Sequence, residues 1–374
     1  MRALPDTASK NETQIFMNKP NKSPKDLVRE EVLSLTAYHV GEAAGMVKLD
    51  AMENPYALPQ ELRREIADLA AGAALNRYPN PQAPELKARL RQTMAIPEAF
   101  DILIGNGSDE LIHIMVQALA RPGAVVLAPD PTFAMYEIYA LVNRMRYVGV
   151  PLAPDFTLDC ARLLAAIEEH QPALVFIAYP NNPTGNLFPE ADVLRILDAA
   201  PGLVVLDEAY HAFAQKSFMR RLAEHPNLVV MRTLSKIGMA GLRLGYAAGS
   251  PAWMREFDKV RPPYNVNVLT QLVAERLLEH ADVLAEQAAM IRSERGRLKA
   301  DLERVPGVTV FDSDANFLLL RVPDAVRVFA GMKQRGVLVK SFHGGHALLA
   351  HCLRVTVGTA AENAQCLAAL RASL

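Results

Sequence analysis

Between residues 101 and 249 short apolar runs alternate with segments of helical spacing, and this alternation limits the fold more than any other feature. The runs are DILIG (Asp101 to Gly105), AVVLA (Ala124 to Ala128), ALVFIAY (Ala173 to Tyr179), LVVLDEA (Leu203 to Ala209), LVVMRT (Leu228 to Thr233) and LGYAAG (Leu244 to Gly249). Helical spans lie between most of them, as at Glu110 to Ala120 and Ala134 to Val142. A strand that is apolar at nearly every position buries both faces, so the pattern predicts an α/β fold with a mostly parallel central sheet flanked by helices. A long helical segment follows from Val268 to about Arg304. After it VTVFDSDANFLLLRV, a helix at Ala325 to Arg335, VLVKS, CLRVTVG and a closing helix predict a smaller α+β domain. The expected organisation is a flexible polar tail at 1–25, an N-terminal arm joining the small domain at 26–56, a large domain at 57–265 and the small C-terminal domain with its linking helix at 266–374.

Just over half of the residues are hydrophobic, which supplies a core large enough for two such domains. A net charge of −1 gives no bulk field for nucleic acid or an anionic membrane, so anion recognition must come from individually placed groups. Cys160, Cys352 and Cys366 are scattered without a CxxC pair, which argues for a reducing compartment and against a structural zinc site. No apolar run is long enough to span a bilayer, and Met1 to Lys25 lacks the apolar centre of a signal peptide; a cytoplasmic protein is expected.

Ligands of open α/β sheets sit beyond the carboxyl ends of the strands, and polar clusters occupy those ends here. NGSDEL places Gly107 and Ser108 before a helix starting near Asp109, which would leave N–H groups for an anion or form a plain capping turn. PNNPTG sets Asn182 at a strand end, as a turn residue or a donor to a ligand oxygen. DEAY puts Asp207 near the end of a strand apolar enough to be central, where a carboxylate has to be paired or hydrogen-bonded. TLSKIGMAGLRLGY brings Ser235, Lys236 and Arg243 among Gly238, Gly241 and Gly245. Taken singly, Lys236 and Arg243 could be surface charges. The three histidines of FHGGHALLAH lack a carboxylate or cysteine set, so a mobile loop is expected there rather than a metal site. No GxGxxG follows any strand, which excludes a NAD-binding Rossmann enzyme.

NGSDE, PNNPTG, DEAY and TLSK–GLRLGY occur in this order at successive strand ends. In this the chain resembles the fold-type I pyridoxal-phosphate (PLP) enzymes of the aspartate aminotransferase family, from about Leu27 to the C-terminus. LTAYHV, KLDAMENPY, LNRYP, ANFLLLR and CLRVTVGT make it most similar to the subfamily that transaminates histidinol phosphate. The resemblance implies that the large domain binds PLP, that Lys236 carries the cofactor covalently and serves as the catalytic base, and that Asp207 pairs with its ring nitrogen. It implies that Asn182 and Tyr210 bond the ring oxygen, and that Phe133 stacks on the ring where relatives often have Tyr, with Tyr136 as the alternative wall. Ser108, Asp109, Ser235 and Arg243 would hold the cofactor phosphate, joined by Tyr78 from the partner subunit of a homodimer. Tyr38, Asn182, Lys340 and Arg354 would bind substrate; Lys340 stands where many relatives have Arg, keeping the charge without the bidentate fork. The implied reaction transfers the amino group of a phosphorylated amino alcohol, histidinol phosphate, to a 2-oxo acid, 2-oxoglutarate, as a step of histidine biosynthesis. An aromatic-amino-acid aminotransferase or a phosphothreonine-type decarboxylase shares the cofactor groups and differs only on the substrate side. A PLP-sensing regulator would need a helix-turn-helix domain ahead of this one, and the tail is too short for it.

Overall fold

The computed structural model describes residues 22–37, 41 and 43–374. They fall into two units, Met1–Val40 and Gly41–Leu374. In the first, the described residues form two one-turn helices, Pro24–Leu27 and Glu30–Leu33. Tyr38 lies outside the described residues.

In the second unit, the described residues form thirteen strands. They are β1 (Val47–Lys48), β2 (Asp101–Gly105), β3 (Val125–Asp130), β4 (Arg146–Pro151), β5 (Leu174–Ala178), β6 (Leu203–Asp207), β7 (Leu228–Thr233), β8 (Gly245–Gly249), β9 (Thr309–Val310), β10 (Phe317–Arg321), β11 (Val337–Leu338), β12 (Lys340–Ser341) and β13 (Cys352–Thr356). Seven of them form one sheet in the order β2-β8-β7-β6-β5-β3-β4. The pairs from β7 through β4 are parallel, and β8 runs antiparallel to both β2 and β7. Successive residues of β5, β6 and β7 enter two different cores: Val175, Val204 and Val230 face one, Leu174, Val205 and Met231 the other. A period-two strand with apolar cover on both sides has no solvent face, hence the continuous apolar runs.

β9, β10, β12 and β13 make a four-stranded antiparallel sheet in the order β12-β13-β10-β9. Its core includes Leu298 and Leu302 of the helix Ala281–Glu303. β1 pairs with β11 in parallel, so the segment before the large sheet is hydrogen-bonded to the chain just before β12. The long helical segment expected from Val268 to Arg304 is two helices, Val268–Glu279 and Ala281–Glu303, divided at His280, whose φ −105° and ψ 43° are not helical. No helix among the described residues is long and apolar enough to cross a membrane.

Candidate active site

The carboxyl ends of β2, β3, β5, β6 and β7 and the start of β8 deliver most of the expected residues to one cleft. Ser108, Asp109, Phe133, Asn182, Asp207, Tyr210, Ser235, Lys236 and Arg243 all line it, together with Met52, Ala178, Ala209 and Thr233.

Lys236 sits in a short 3-10 turn directly after β7. Its Nζ donates to the carbonyl of Ala51 at 3.0 Å. Burial, reinforced by the nearby Arg354 guanidinium, lowers its pKa to about 8, while Glu53 and Asp109 pull the other way. A neutral amine is thus within reach near physiological pH, which an exposed lysine does not offer.

Asp207 ends β6 and is 5% exposed. The hydroxyl of Tyr136 donates to its Oδ2 at 2.7 Å and the Ala209 N–H to its Oδ1 at 3.1 Å. Burial pushes its pKa up to about 6, against these two donors. A cation brought beside this carboxylate would be strongly favoured in so dry a setting. Tyr136 is therefore not a wall of the cleft: it is fully buried behind Asp207, and of the two aromatics of this segment Phe133 lines the cleft. Tyr210 is buried edge-on against Phe317, with ring centroids 5.2 Å apart.

At the other end of the cleft, the helix Ser108–Leu119 begins after Gly107 without a side-chain cap. Arg243, itself in the left-handed region at φ 51°, brings Nη2 to 3.3 Å from Asp109 Oδ2 and Nη1 to 3.4 Å from Ser235 Oγ. The approach requires glycine. A Cβ at Gly107 (φ +86°) would meet Arg243 Nη2 at 2.7 Å, and one at Gly245 would meet the Ser108 nitrogen at 2.7 Å. Uncapped N–H groups, a hydroxyl and a guanidinium converge as an anion cradle.

Arg354 is buried on β13 and reaches the cleft through Asn182, donating from Nη1 to Asn182 Oδ1 at 2.5 Å and from Nη2 to the Asp50 carbonyl at 2.9 Å. Lys340 is its direct cross-strand partner on β12, which places both cations on one face of the small sheet. Lys340 is not among the residues lining the cleft. Tyr78 also stands apart from it: 80% exposed, its ring stacks on Tyr264 at 4.4 Å. In the histidine-rich loop His346 Nε2 lies 3.0 Å from Asp130 Oδ2 and its Nδ1 accepts from the Leu348 N–H. Among the described residues no group of three His, Cys, Asp or Glu could hold a metal.

The sequence reading missed two contributors. The first is the segment Asp50 to Met52, whose carbonyls meet Arg354 and Lys236. Met52 lines the cleft with φ 54°, its N–H donating to Thr356 Oγ1 and its carbonyl accepting from Asn316. Backbone contacts of this kind leave no side-chain signature. The second is the bond from Tyr136 to Asp207, which the spacing of Tyr136 from Phe133 does not reveal.

A sequence model described as aminotransferase class I and II matches residues 44–370. The chain belongs to this family. It is 55% identical over 353 residues to "Histidinol-phosphate aminotransferase 1" of Burkholderia lata, covering 94% of this chain and 99% of that one. It is 57% identical to the protein of the same name from Ralstonia nicotianae, covering 93% and 94%. Among solved structures, histidinol-phosphate aminotransferase from Sinorhizobium meliloti in complex with pyridoxal-5'-phosphate superposes with a TM-score of 0.82 at 27% identity, over 91% of this chain and 96% of that one. The α/β architecture predicted from the strand pattern is the architecture of this aminotransferase family.

Proposed function

We propose that this chain is a PLP-dependent histidinol-phosphate aminotransferase, transferring the amino group of histidinol phosphate to 2-oxoglutarate and yielding imidazole-acetol phosphate and glutamate. The observation that carries the reading is a cleft with a depressed-pKa lysine, a buried carboxylate and a glycine-lined anion cradle, in a chain 55% identical to enzymes of that name.

The residues present fit PLP. Its phosphate matches the uncapped start of Ser108–Leu119 with Ser235 and Arg243, its aldehyde an amine at Lys236, its basic ring nitrogen the Asp207 carboxylate. When bound, PLP supplies an aldehyde that condenses reversibly with primary amines and a ring that draws electrons from the adjacent carbon. Lys236 would be the covalent anchor, and its freed Nζ would take a proton from the substrate carbon and return one. Asp207 would hold a proton on the ring nitrogen. Phe133 would cover one face of the ring, and Asn182 and Tyr210 would orient its oxygen. Arg354, with Tyr38 and Lys340, would fix the anionic end of the substrate; a guanidinium fork suits carboxylate and phosphate alike.

The same proposal includes a homodimer in which Tyr78 completes the neighbouring subunit's phosphate site. An exposed tyrosine stacked on a second tyrosine, away from its own cleft, supports this. The buried free thiols of Cys160, Cys352 and Cys366 support a cytoplasmic location. Residues 57–265 would form the PLP-binding domain, 266–374 the small one and 26–56 the arm; the β1–β11 pairing supports the arm's attachment.

Steady-state transamination with 2-oxoglutarate as acceptor tests the substrate, comparing histidinol phosphate, phenylalanine and phosphothreonine as donors. A clear preference for histidinol phosphate is expected; equal or faster turnover of phenylalanine overturns the assignment.

A further inference from the structure

Tyr136 has a ring that packing alone explains and a hydroxyl that packing does not. The ring lies fully buried, stacked on Phe176 (centroids 4.4 Å, interplanar angle 1°) and edge-on to Phe133 at 5.6 Å. A phenylalanine would fill that space equally well. The hydroxyl is buried with it and donates 2.7 Å to Asp207 Oδ2, while Ala209 N–H donates to Oδ1. With one donor on each oxygen, the plane of the carboxylate is fixed.

We propose that Tyr136 is a positioning residue acting through Asp207: its hydroxyl sets the carboxylate's rotation and favours its ionised form, so that a fixed negative charge meets a basic ring nitrogen in the cleft. This rests on the proposed PLP reading and adds a residue to it. The surrounding groups show why the hydroxyl is needed. Asp109 and the adjoining Glu208 both push Asp207 toward the neutral acid. Glu208 is itself engaged by Arg232 at 2.8 Å. Tyr210 and Tyr147 are near enough to Tyr136 to add to the upward push on its hydroxyl. Among the described residues two donors stand against burial and these carboxylates, and Tyr136, at 2.7 Å against 3.1 Å, is the closer and the stronger of them. Its own pKa is held well above the ordinary value by burial and by Asp207, so it donates throughout the physiological range.

The test compares wild type with Tyr136→Phe, Asp207→Asn and the double variant, using PLP affinity from about pH 5 to 8 and the split between kcat and KM. A hydrogen bond to a charged group corresponds to about a tenfold effect or more. In Tyr136→Phe, PLP affinity falls about tenfold near pH 6 and less at pH 8, because Asp207 then takes up its proton at higher pH. kcat falls by a similar factor with KM for the amino donor little changed, and in the Asp207→Asn background the substitution has no further effect. A pH-independent loss, or one that persists in Asp207→Asn, overturns the inference and leaves the proposed function standing. A Tyr136→Phe chain that fails to fold overturns it too, since the hydroxyl would then hold the core. A wild type that takes up no PLP contradicts both.

Discussion

Arg354 and Asn182, 172 positions apart, share a 2.5 Å hydrogen bond that joins the small sheet to the carboxyl end of β5. The same guanidinium reaches the Asp50 carbonyl and lies 5.3 Å from the ring centres of Phe317 and Phe342. A fork held by two acceptors and two aromatic rings presents its planar face in one orientation. Lysine can reproduce the charge but not the fork. Arg354→Lys is expected to raise KM for histidinol phosphate about tenfold or more, with PLP affinity unchanged. Initial rates and a PLP titration on the same protein check it; equal losses in both would place Arg354 in the cofactor site.

Lys236 is destabilising in the cofactor-free fold. Its pKa falls from 10.5 to about 8, so between those values the unfolded chain binds more protons and stability rises with pH. Below about pH 8 the full penalty applies, and above about pH 10.5 it is gone. Lys236→Met is expected to stabilise the cofactor-free protein at pH 7 by at most about 3 kcal/mol, reduced because part of the side chain still faces the cleft. Denaturant unfolding at pH 7 and at about pH 10.5 measures the difference. A gain of equal size at both pH values would mean that packing, not the buried charge, is responsible.

Gly107 lies at φ 86° and ψ 168°, backbone that only glycine adopts readily, with Arg243 Nη2 2.7 Å from where a Cβ would sit. Gly107→Ala is expected to cost about 1–3 kcal/mol of PLP affinity, seen as a rise in Kd of roughly 5- to 150-fold by fluorescence titration. Wild-type affinity in this variant would show that the cradle does not hold the phosphate.

If Tyr78 serves the neighbouring subunit, a site needs Lys236 from one chain and Tyr78 from the other. Tyr78→Ala and Lys236→Ala homodimers should each be impaired. Mixed dimers formed by co-refolding should recover activity that neither has alone, since one of their two sites combines both native residues. No recovery in mixed dimers verified by tagged purification would contradict the shared site.

The central strands were legible because burial on both faces leaves apolar runs without polar interruption, and β2 and β7 carry the expected boundaries. β4 was not legible. It lies at the sheet's edge with a single neighbour, and of its residues RYVGVP only Val150 is buried, so Arg, Gly and Pro break the pattern. The helix break at His280 leaves no mark in the sequence because helical apolar spacing continues on both sides of it. In the site, the residues announced by motifs at strand ends gather in one cleft, whereas the carbonyls of Asp50 and Ala51 do not, since any residue supplies a carbonyl. Tyr136 had an ambiguous signal: the spacing that carries an aromatic toward a ligand also carries it into the core.

The most direct measurement mixes the PLP-loaded chain with histidinol phosphate in the absence of any 2-oxo acid. Absorbance then follows conversion of the cofactor to pyridoxamine phosphate in wild type and in Lys236→Ala. Wild type should lose its visible band within one turnover and regain it on adding 2-oxoglutarate, while Lys236→Ala shows neither the lysine-dependent band nor the conversion at a comparable rate. Conversion by Lys236→Ala at the wild-type rate would contradict the account.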